Sequence, residues 1–179
     1  MFQTNYRTKV LATQEFTRPG DTTAYAAGDV IGPVTTPAVI TFPNAALENG
    51  GVGRVVNCLI ANSTVTVAAS GLALHLYNTS ITPIADNAQF TLLYANRASY
   101  QGTILLTTVP TLSASGYGTG TDSKVWLSSQ ALTSASQYDG WYKCADTSTS
   151  LYGVLTAREA YATAASEQFS IRLTVEYGN

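Results

Sequence analysis

The segment FSIRLTVEY, residues 169–177, alternates strictly between apolar and polar residues. Side chains of a β-strand point to opposite faces in turn, so this period of two indicates a strand with one buried face. The inward set is Phe169, Ile171, Leu173, Val175 and Tyr177, and the outward set is Ser170, Arg172, Thr174 and Glu176. A half-buried strand is therefore predicted near the end of the chain.

The same period recurs along most of the sequence. Residues 72–77 place Leu72, Leu74 and Leu76 inward and His75 outward, which predicts a surface histidine on an outer sheet face. Further strands are predicted at 7–16, 38–42, 54–61, 90–94, 102–109, 125–132 and 151–158, with a weaker one at 22–25. Residues 44–49 and 158–167 are interpreted as connections. Many short strands with turn signals between them predict an all-β sandwich with little helix, wound as a jelly roll or a Greek key, with the jelly roll favoured.

Length and composition limit the organisation of the chain. Its 179 residues predict a single sandwich domain over 7–179, with 1–6 as an N-terminal arm. The start, MFQTNYRTKV, lacks the apolar region of a signal peptide. Cys58 and Cys144 are accordingly expected as buried thiols and not as a disulfide.

Charge and hydropathy argue against two classes of partner. Only 11% of residues are charged and the net charge is −2, with single, scattered Lys and Arg. Nucleic-acid binding needs clustered cations, and a membrane span needs roughly 20 apolar residues, so neither partner is expected. Hydroxyl-bearing and small side chains replace the usual charges, and such a surface is desolvated at lower cost than a charged one.

Catalytic and metal-binding patterns are weak. His75 lies between Leu74 and Leu76 with no nucleophile motif nearby, and the Gly-x-Gly-x-Gly at 116–120 lacks the Gly-Lys-Ser/Thr of a phosphate loop. No cysteine, histidine or carboxylate stands at the spacing of a zinc or calcium site. Paired carboxylates from distant segments stay open at this point. We expect no enzyme, no cofactor and no metal.

The stretch SITPIADNAQFTLLYANRASYQG, residues 80–102, carries the densest turn signals. Pro83 ends an extended segment, and Asp86 and Asn87 can hydrogen-bond their own backbone two residues on. The stretch is interpreted as a corner between two strands, in which Asp86 has a conformational and not a catalytic role.

Aromatic residues near turns are the candidate contact residues. Tyrosine and tryptophan are enriched at interfaces because they desolvate a large area and keep one hydrogen bond. Stacking on a sugar ring would use the same residue types. The set comprises Phe2 and Tyr6 on the arm, Tyr117 in a loop, and Tyr138, Trp141 and Tyr142 around one turn.

Two blocks resemble structural proteins of tailed bacteriophages. They are LALHLYNTSITPIADNAQFTLLYANRASYQGTI at 72–104 and LYGVLTAREAYATAASEQFSIRLTVEY at 151–177, and AYAAGDVIG at 24–32 fits as well. Thr163-Ala164 stands where that group has Thr-Pro. The resemblance implies a head decoration or cement protein on the capsid surface of the virion, made in the host cytoplasm. Its implied partners are the major capsid protein and its own copies, as a dimer or trimer.

Two other roles remain open at the level of sequence. A tail or fibre-associated sandwich fits the same resemblance. A carbohydrate-binding module is favoured if Trp126, Trp141 and Tyr142 form one flat exposed face, and disfavoured if they are buried. An enzyme would need two carboxylates, or His75 with an acidic neighbour, in one cleft.

Overall fold

The computed structural model describes residues 6–33, 39–63, 71–106, 124–127 and 139–178. These ranges contain eleven strands and a single 3-10 turn at Tyr94–Asn96. The strands are β1 (Tyr6–Val10), β2 (Gln14–Thr17), β3 (Val30–Ile31), β4 (Ile40–Phe42), β5 (Val52–Asn62), β6 (Leu72–Tyr77), β7 (Tyr100–Leu106), β8 (Lys124–Leu127), β9 (Trp141–Lys143), β10 (Leu151–Ala157) and β11 (Gln168–Gly178).

The strands form two antiparallel sheets packed face to face. In the first sheet, β11 pairs with β1 and β2 on one side and with β5 on the other, and β5 pairs with β8 and β9. In the second sheet, β10 pairs with β3 and β4 on one side and with β6 on the other, and β6 pairs with β7. The predicted all-β sandwich is confirmed.

The order of the strands is that of a jelly roll. Strands that share a partner, namely β1 with β2, β3 with β4, and β8 with β9, each count as one interrupted strand, which leaves eight. The first of these pairs with the last, the second with the seventh, the third with the sixth, and the two middle strands with each other. This nested pairing is a long hairpin rolled into two sheets, as in jelly rolls.

The core between the sheets comes from the alternation seen in the sequence. Every inward residue predicted in 169–177 is buried, from Ile171 at 0% exposure to Tyr177 at 8%. Leu72, Leu74 and Leu76 are buried against them from the second sheet. Cys58 and Cys144 are buried free thiols, as expected, and burial raises the pKa of Cys144 to about 11.

Several predicted strands differ from those observed. The segment 7–16 is divided into β1 and β2, between which the Leu11 amide bonds to Leu173 O at 2.9 Å. The weak strand at 22–25 is reduced to one bridge between Tyr25 and Tyr161. The short strands β3 and β9 were not predicted, since two or three residues are too few to show a period.

The connection between β6 and β7, residues 78–99, folds back over the outer face of the second sheet and is called the covering segment below. Backbone bonds join Asn87 N to Val30 O, Val30 N to Ala88 O and Phe90 N to Gly28 O, at 2.8–2.9 Å. A second apolar cluster forms under it from Val30, Tyr77, Ile81 and Val154, with Ile84 and Phe90 packed against them.

The predicted strand at 90–94 is therefore wrong. Phe90 packs back onto the second sheet, where its ring stacks on His75 at a centroid distance of 4.1 Å. The residues that follow are exposed and lead into the 3-10 turn, without a neighbouring strand to pair with in the described part of the chain. No helix within the described ranges is long and apolar enough to cross a membrane.

Candidate contact surface

The outer face of the first sheet is left open by the described part of the chain. Its outward side chains from β1, β11, β5 and β9 are exposed or half-buried. Val10 is 55% exposed and Trp141 is 47% exposed, although both are apolar. Thr8, Leu59, Arg172 and Thr174 share the face with them.

Strand register arranges one row across this face in which charges compensate each other. Trp141 lies opposite Arg54, Arg54 opposite Glu176, and Glu176 opposite Thr8. Opposite charges on neighbouring strands attract weakly and cancel at longer range. This row therefore combines apolar and hydroxyl groups with two charges of opposite sign.

The covering segment adds a second exposed apolar feature, called the tip below, at Leu92, Leu93 and Tyr94. Their exposed fractions are 45%, 51% and 78%. The guanidinium of Arg97 lies 3.8 Å from the centroid of the Tyr94 ring, and its Nη1 donates to Tyr94 O at 2.9 Å. A hydrogen bond from Asn78 N to Ser99 O closes the base of the segment. These contacts hold Arg97 against Tyr94 and close the base of the loop that carries the tip.

Behind the covering segment lies a buried polar centre built on Arg18 and Asp86. The side chain of Arg18 is fully buried and that of Asp86 is 8% exposed, with 3.5 Å between Nη2 and Oδ2. Tyr25 Oη donates to Asp86 Oδ1 at 2.5 Å, and the Gly32 amide donates to the same oxygen at 2.9 Å. Arg18 Nη1 also donates to Thr163 Oγ1 at 2.6 Å. One ion pair therefore joins three separate segments of the chain.

This centre corrects the interpretation of Asp86. A turn does form there: Ala88 N bonds to Ala85 O at 3.2 Å, and Asn87 has a φ of 59°, in the left-handed region. The carboxylate of Asp86, however, bonds to Gly32 and Tyr25 and not to its own backbone, so the residue is an anchor as well as a corner.

The pKa shifts in the centre follow from these contacts. Burial alone would lower the pKa of Arg18, but its hydrogen bond to Tyr25 and the charge of Asp86 raise it overall. Burial, followed by the hydrogen bond to Asp86, raises the pKa of Tyr25. Arg18 therefore stays positively charged and Tyr25 stays neutral, as the ion pair and the hydrogen bond with Asp86 require.

His75 also departs from its prediction as a surface histidine. It lies on the outer face of the second sheet, but Phe90 stacks on it and the residue is half-buried. Its Nδ1 is 2.7 Å from Thr103 Oγ1 and its Nε2 is 3.1 Å from Thr156 Oγ1. Burial lowers the pKa of His75 to about 4, so the ring is neutral and both nitrogens are occupied.

The predicted contact residues divide into three groups. Trp141 is exposed, as a contact residue must be. Tyr142 is 3% exposed and donates to Ala45 O at 2.5 Å, so its side chain belongs to the core and is withdrawn as a contact residue. Tyr6 already pairs with Gly178 at the start of β1. The structure does not describe the side chain of Tyr6 or the rest of the predicted arm, which includes Phe2. The predicted residues Tyr117 and Tyr138 also lie outside the described ranges.

The tip was missed by the sequence analysis, although one signal was present. Leu92 and Leu93 are adjacent, and two neighbouring leucines break the alternation expected of a half-buried strand. Because successive strand side chains face opposite ways, at least one of them had to lie outside the core face.

Among the described residues, no group of three or more His, Cys, Asp or Glu side chains is close enough to hold a metal ion. Comparison with protein-family models and with curated proteins finds no match for this chain.

Proposed function

We propose that this chain is a non-enzymatic structural protein of a tailed-bacteriophage virion. In this role it is a decoration or cement protein that binds the major capsid protein on the head exterior, associates with its own copies as a dimer or trimer, and stabilises the shell. The resemblance of residues 72–104 and 151–177 suggests the role. The observation that carries it is the open outer face of the first sheet, where Val10 and Trp141 are exposed among compensated charges.

The physical argument concerns the cost of a permanent contact. Burying an unpaired charge is expensive, whereas threonine and apolar side chains lose little when water leaves. Thr8, Val10, Thr174 and Trp141 supply such side chains on one rigid sheet. A standard interface buries about 800 Å² on each partner, an area that a sheet face offers and a single loop does not.

The tip supports the same role as a secondary contact. Leu92, Leu93 and Tyr94 expose too few side chains for a stable pair in solution. On a shell, each copy is held by several contacts at once, and linked weak contacts raise the overall affinity by about 10²-fold or more.

The first test locates the protein on particles. Antibodies raised against it should label the heads of virions from the phage that encodes it, and virions without it should release DNA at a lower temperature. Restoring the purified protein should restore the release temperature. Unchanged heat resistance of virions after removal of the protein would contradict a cement role. Antibody labelling confined to tails would instead favour a role in the tail or fibre.

Charge variants then test the surface. Trp141→Glu and Leu93→Glu should each weaken rebinding to stripped heads at least tenfold, because each buries an unpaired carboxylate. Leu47→Glu is the matched control, since Leu47 is 58% exposed in a different loop. Equal losses in all three variants would show that the effect is nonspecific.

The carbohydrate-binding alternative has lost one of its requirements. Tyr142 is buried, so it does not extend an aromatic platform from Trp141. A glycan screen should be negative, and specific binding abolished by Trp141→Ala would replace the cement proposal.

A further inference from the structure

The row of Trp141, Arg54, Glu176 and Thr8 on the open face carries two charges that have no ionic partner in the described part of the chain. Arg54 and Glu176 are cross-strand neighbours, but the ion pairs formed by the described residues all lie elsewhere in the molecule. The Nε atom of Arg54 is buried, and it has no hydrogen-bond acceptor among the described residues. Buried donors of native proteins almost always have an acceptor, so this N–H requires one from outside the described part of the chain.

The order of the row is self-complementary. From β9 to β1 it runs from an aromatic ring through a positive and a negative charge to a hydroxyl group. A second copy of the row, laid against the first in reverse order, places each guanidinium on a carboxylate and each Trp141 ring on a Thr8 side chain. Reciprocal contacts of this kind arise when two copies are related by a two-fold axis, because residue i then meets residue j and j meets i.

We infer that the open face binds a second copy of this chain, in a dimer whose two-fold axis lies in the interface, parallel to the strands and between β5 and β11. Arg54 of each copy meets Glu176 of the other. This assignment rests on the proposed function, because it decides which of the two proposed partners meets the open face. The second copy meets it, and the tip, on the covering segment of the second sheet, meets the capsid.

The positions of the charges select this axis over the alternative one. An axis perpendicular to the strands would lay β5 on β5 of the second copy. Centred on the row, it would bring Arg54 onto Arg54 and Glu176 onto Glu176, and like charges placed together at an interface disfavour association strongly. The axis parallel to the strands also keeps the strand directions of the two packed sheets nearly aligned, as they are in β-sandwiches.

A neighbouring row fits the same axis. Arg172 on β11 lies directly opposite Leu59 on β5. The axis therefore brings Arg172 of each copy over Leu59 of the other. The aliphatic stem of an arginine can cover apolar surface while its guanidinium stays in water at the rim, so this contact leaves no charge buried alone.

The face is large enough for a weak dimer. The two central strands, β5 and β11, have eleven residues each. Together with β1, β2, β8 and β9 they form about 600 Å² of flat sheet, at about 3.3 Å per residue and about 4.8 Å between strands. Standard interfaces begin at about 600 Å² on each partner. An interface at this lower limit predicts a dissociation constant in the micromolar range.

Sedimentation velocity of the purified full chain tests the dimer. Over a concentration series from micromolar to millimolar, the protein should pass from monomer to dimer. Added salt should weaken the dimer, because it screens the two ion pairs. A monomer at every concentration, or a dimer that salt does not affect, would overturn the inference.

Charge reversal locates the contact. Arg54→Glu brings carboxylates together at both pair positions, and Glu176→Arg brings guanidinium groups together there, so each variant alone should raise the dissociation constant at least about tenfold. An equimolar mixture of the two variants should form heterodimers, because each charge then meets its opposite. Arg97→Glu, at the exposed tip, is the matched control and should leave the dimer unchanged.

Two results with the variants would overturn the two-fold contact: dimers that persist in both single variants, or a mixture of folded variants that stays monomeric. Circular dichroism establishes that each variant is folded. If one is not, the salt series of the unaltered chain decides by itself.

Attachment to stripped heads, measured separately, distinguishes this dimer from the proposed function. A monomeric chain that attaches to heads would overturn the dimer and leave the cement role in place. A dimer that does not attach would overturn the cement role and leave the dimer in place.

Discussion

The two outer faces of the sandwich are built from the same alternating strands, yet they end in opposite environments. On the second sheet, Ala73, Val154 and Thr156 point away from the main core and are nevertheless buried at 3–5% exposure. On the first sheet, the equivalent outward residues Val10 and Trp141 are about half-exposed. The covering segment packs on part of the second face, where Val154 lies in the apolar cluster beneath it. The second face is thus partly covered by the chain itself, whereas the described residues leave apolar side chains of the first face exposed.

The covered face is also the one that needs polar anchors. A segment without strands of its own along most of its length must satisfy its backbone and fix its position by specific contacts. Asp86 does this through Arg18, Tyr25 and Gly32, and Phe90 does it through His75. The open face carries no comparable buried ion pair among the described residues.

Removing the anchor should have the largest effect. Arg18→Met leaves the carboxylate of Asp86 buried without its cation, and breaking a buried pair in this way costs about 3–5 kcal/mol of unfolding free energy. Urea denaturation measures the change. Arg172→Met, on the open face, is the control and should alter stability by less than about 0.5 kcal/mol. Similar losses in both variants would remove the distinction between the two faces.

Lowering the pH should have the next largest effect on the free energy of unfolding. The pKa of His75 is about 4 in the folded chain, below its ordinary value of 6.5, so the unfolded chain binds a proton that the folded chain does not. Stability is therefore fully present above pH 6.5, falls as the pH drops toward 4, and loses up to about 3 kcal/mol in that window.

A variant isolates this contribution. His75→Gln does not titrate, so its unfolding free energy should change less between pH 6.5 and 4 than that of the unaltered chain. Chemical denaturation at a series of pH values measures both. Parallel pH profiles would show that His75 is not the group responsible.

A third substitution tests the inner side of the first sheet. A Cβ at Gly53 would lie 2.3 Å from Tyr142 Oη and 2.9 Å from the backbone oxygen of Glu176. Gly53→Ala must displace Tyr142 and its bond to Ala45, with an expected loss of about 1–3 kcal/mol. Gly20→Ala is the control, because its nearest atom is Ser166 Oγ at an ordinary 3.5 Å. Thermal unfolding of the two variants should differ clearly; equal melting temperatures would contradict the close approach.

The smallest effect on stability is expected at the open face. Trp141→Ala and Val10→Ser remove exposed apolar groups, so each should change the unfolding free energy by less than about 0.5 kcal/mol. Both should weaken attachment to stripped phage heads if this face is the contact surface. If these two variants lost stability and still attached normally, the outer face of the first sheet would not be the contact surface.

Local patterns were enough to predict most of the longer strands and the core between the sheets. Phe169, Ile171 and Leu173 could be placed inward because a strand has a period of two and one buried face. The same argument placed Leu74 inward. Cys58 is a buried thiol, which had been expected on other grounds. Of the candidate contact surface, only Trp141 was both predicted and found exposed.

Only the tertiary structure decided which outer face is covered and which polar groups meet. Asp86 and Tyr25 are 61 positions apart, and His75 and Thr156 are 81 apart, so no local pattern relates them. Tyr142 and Trp141 are neighbours of similar chemistry, and the direction of one short strand sends one inward and the other outward. Sequence determines the period of a strand, whereas burial of its outward side depends on segments that pack there from elsewhere in the chain.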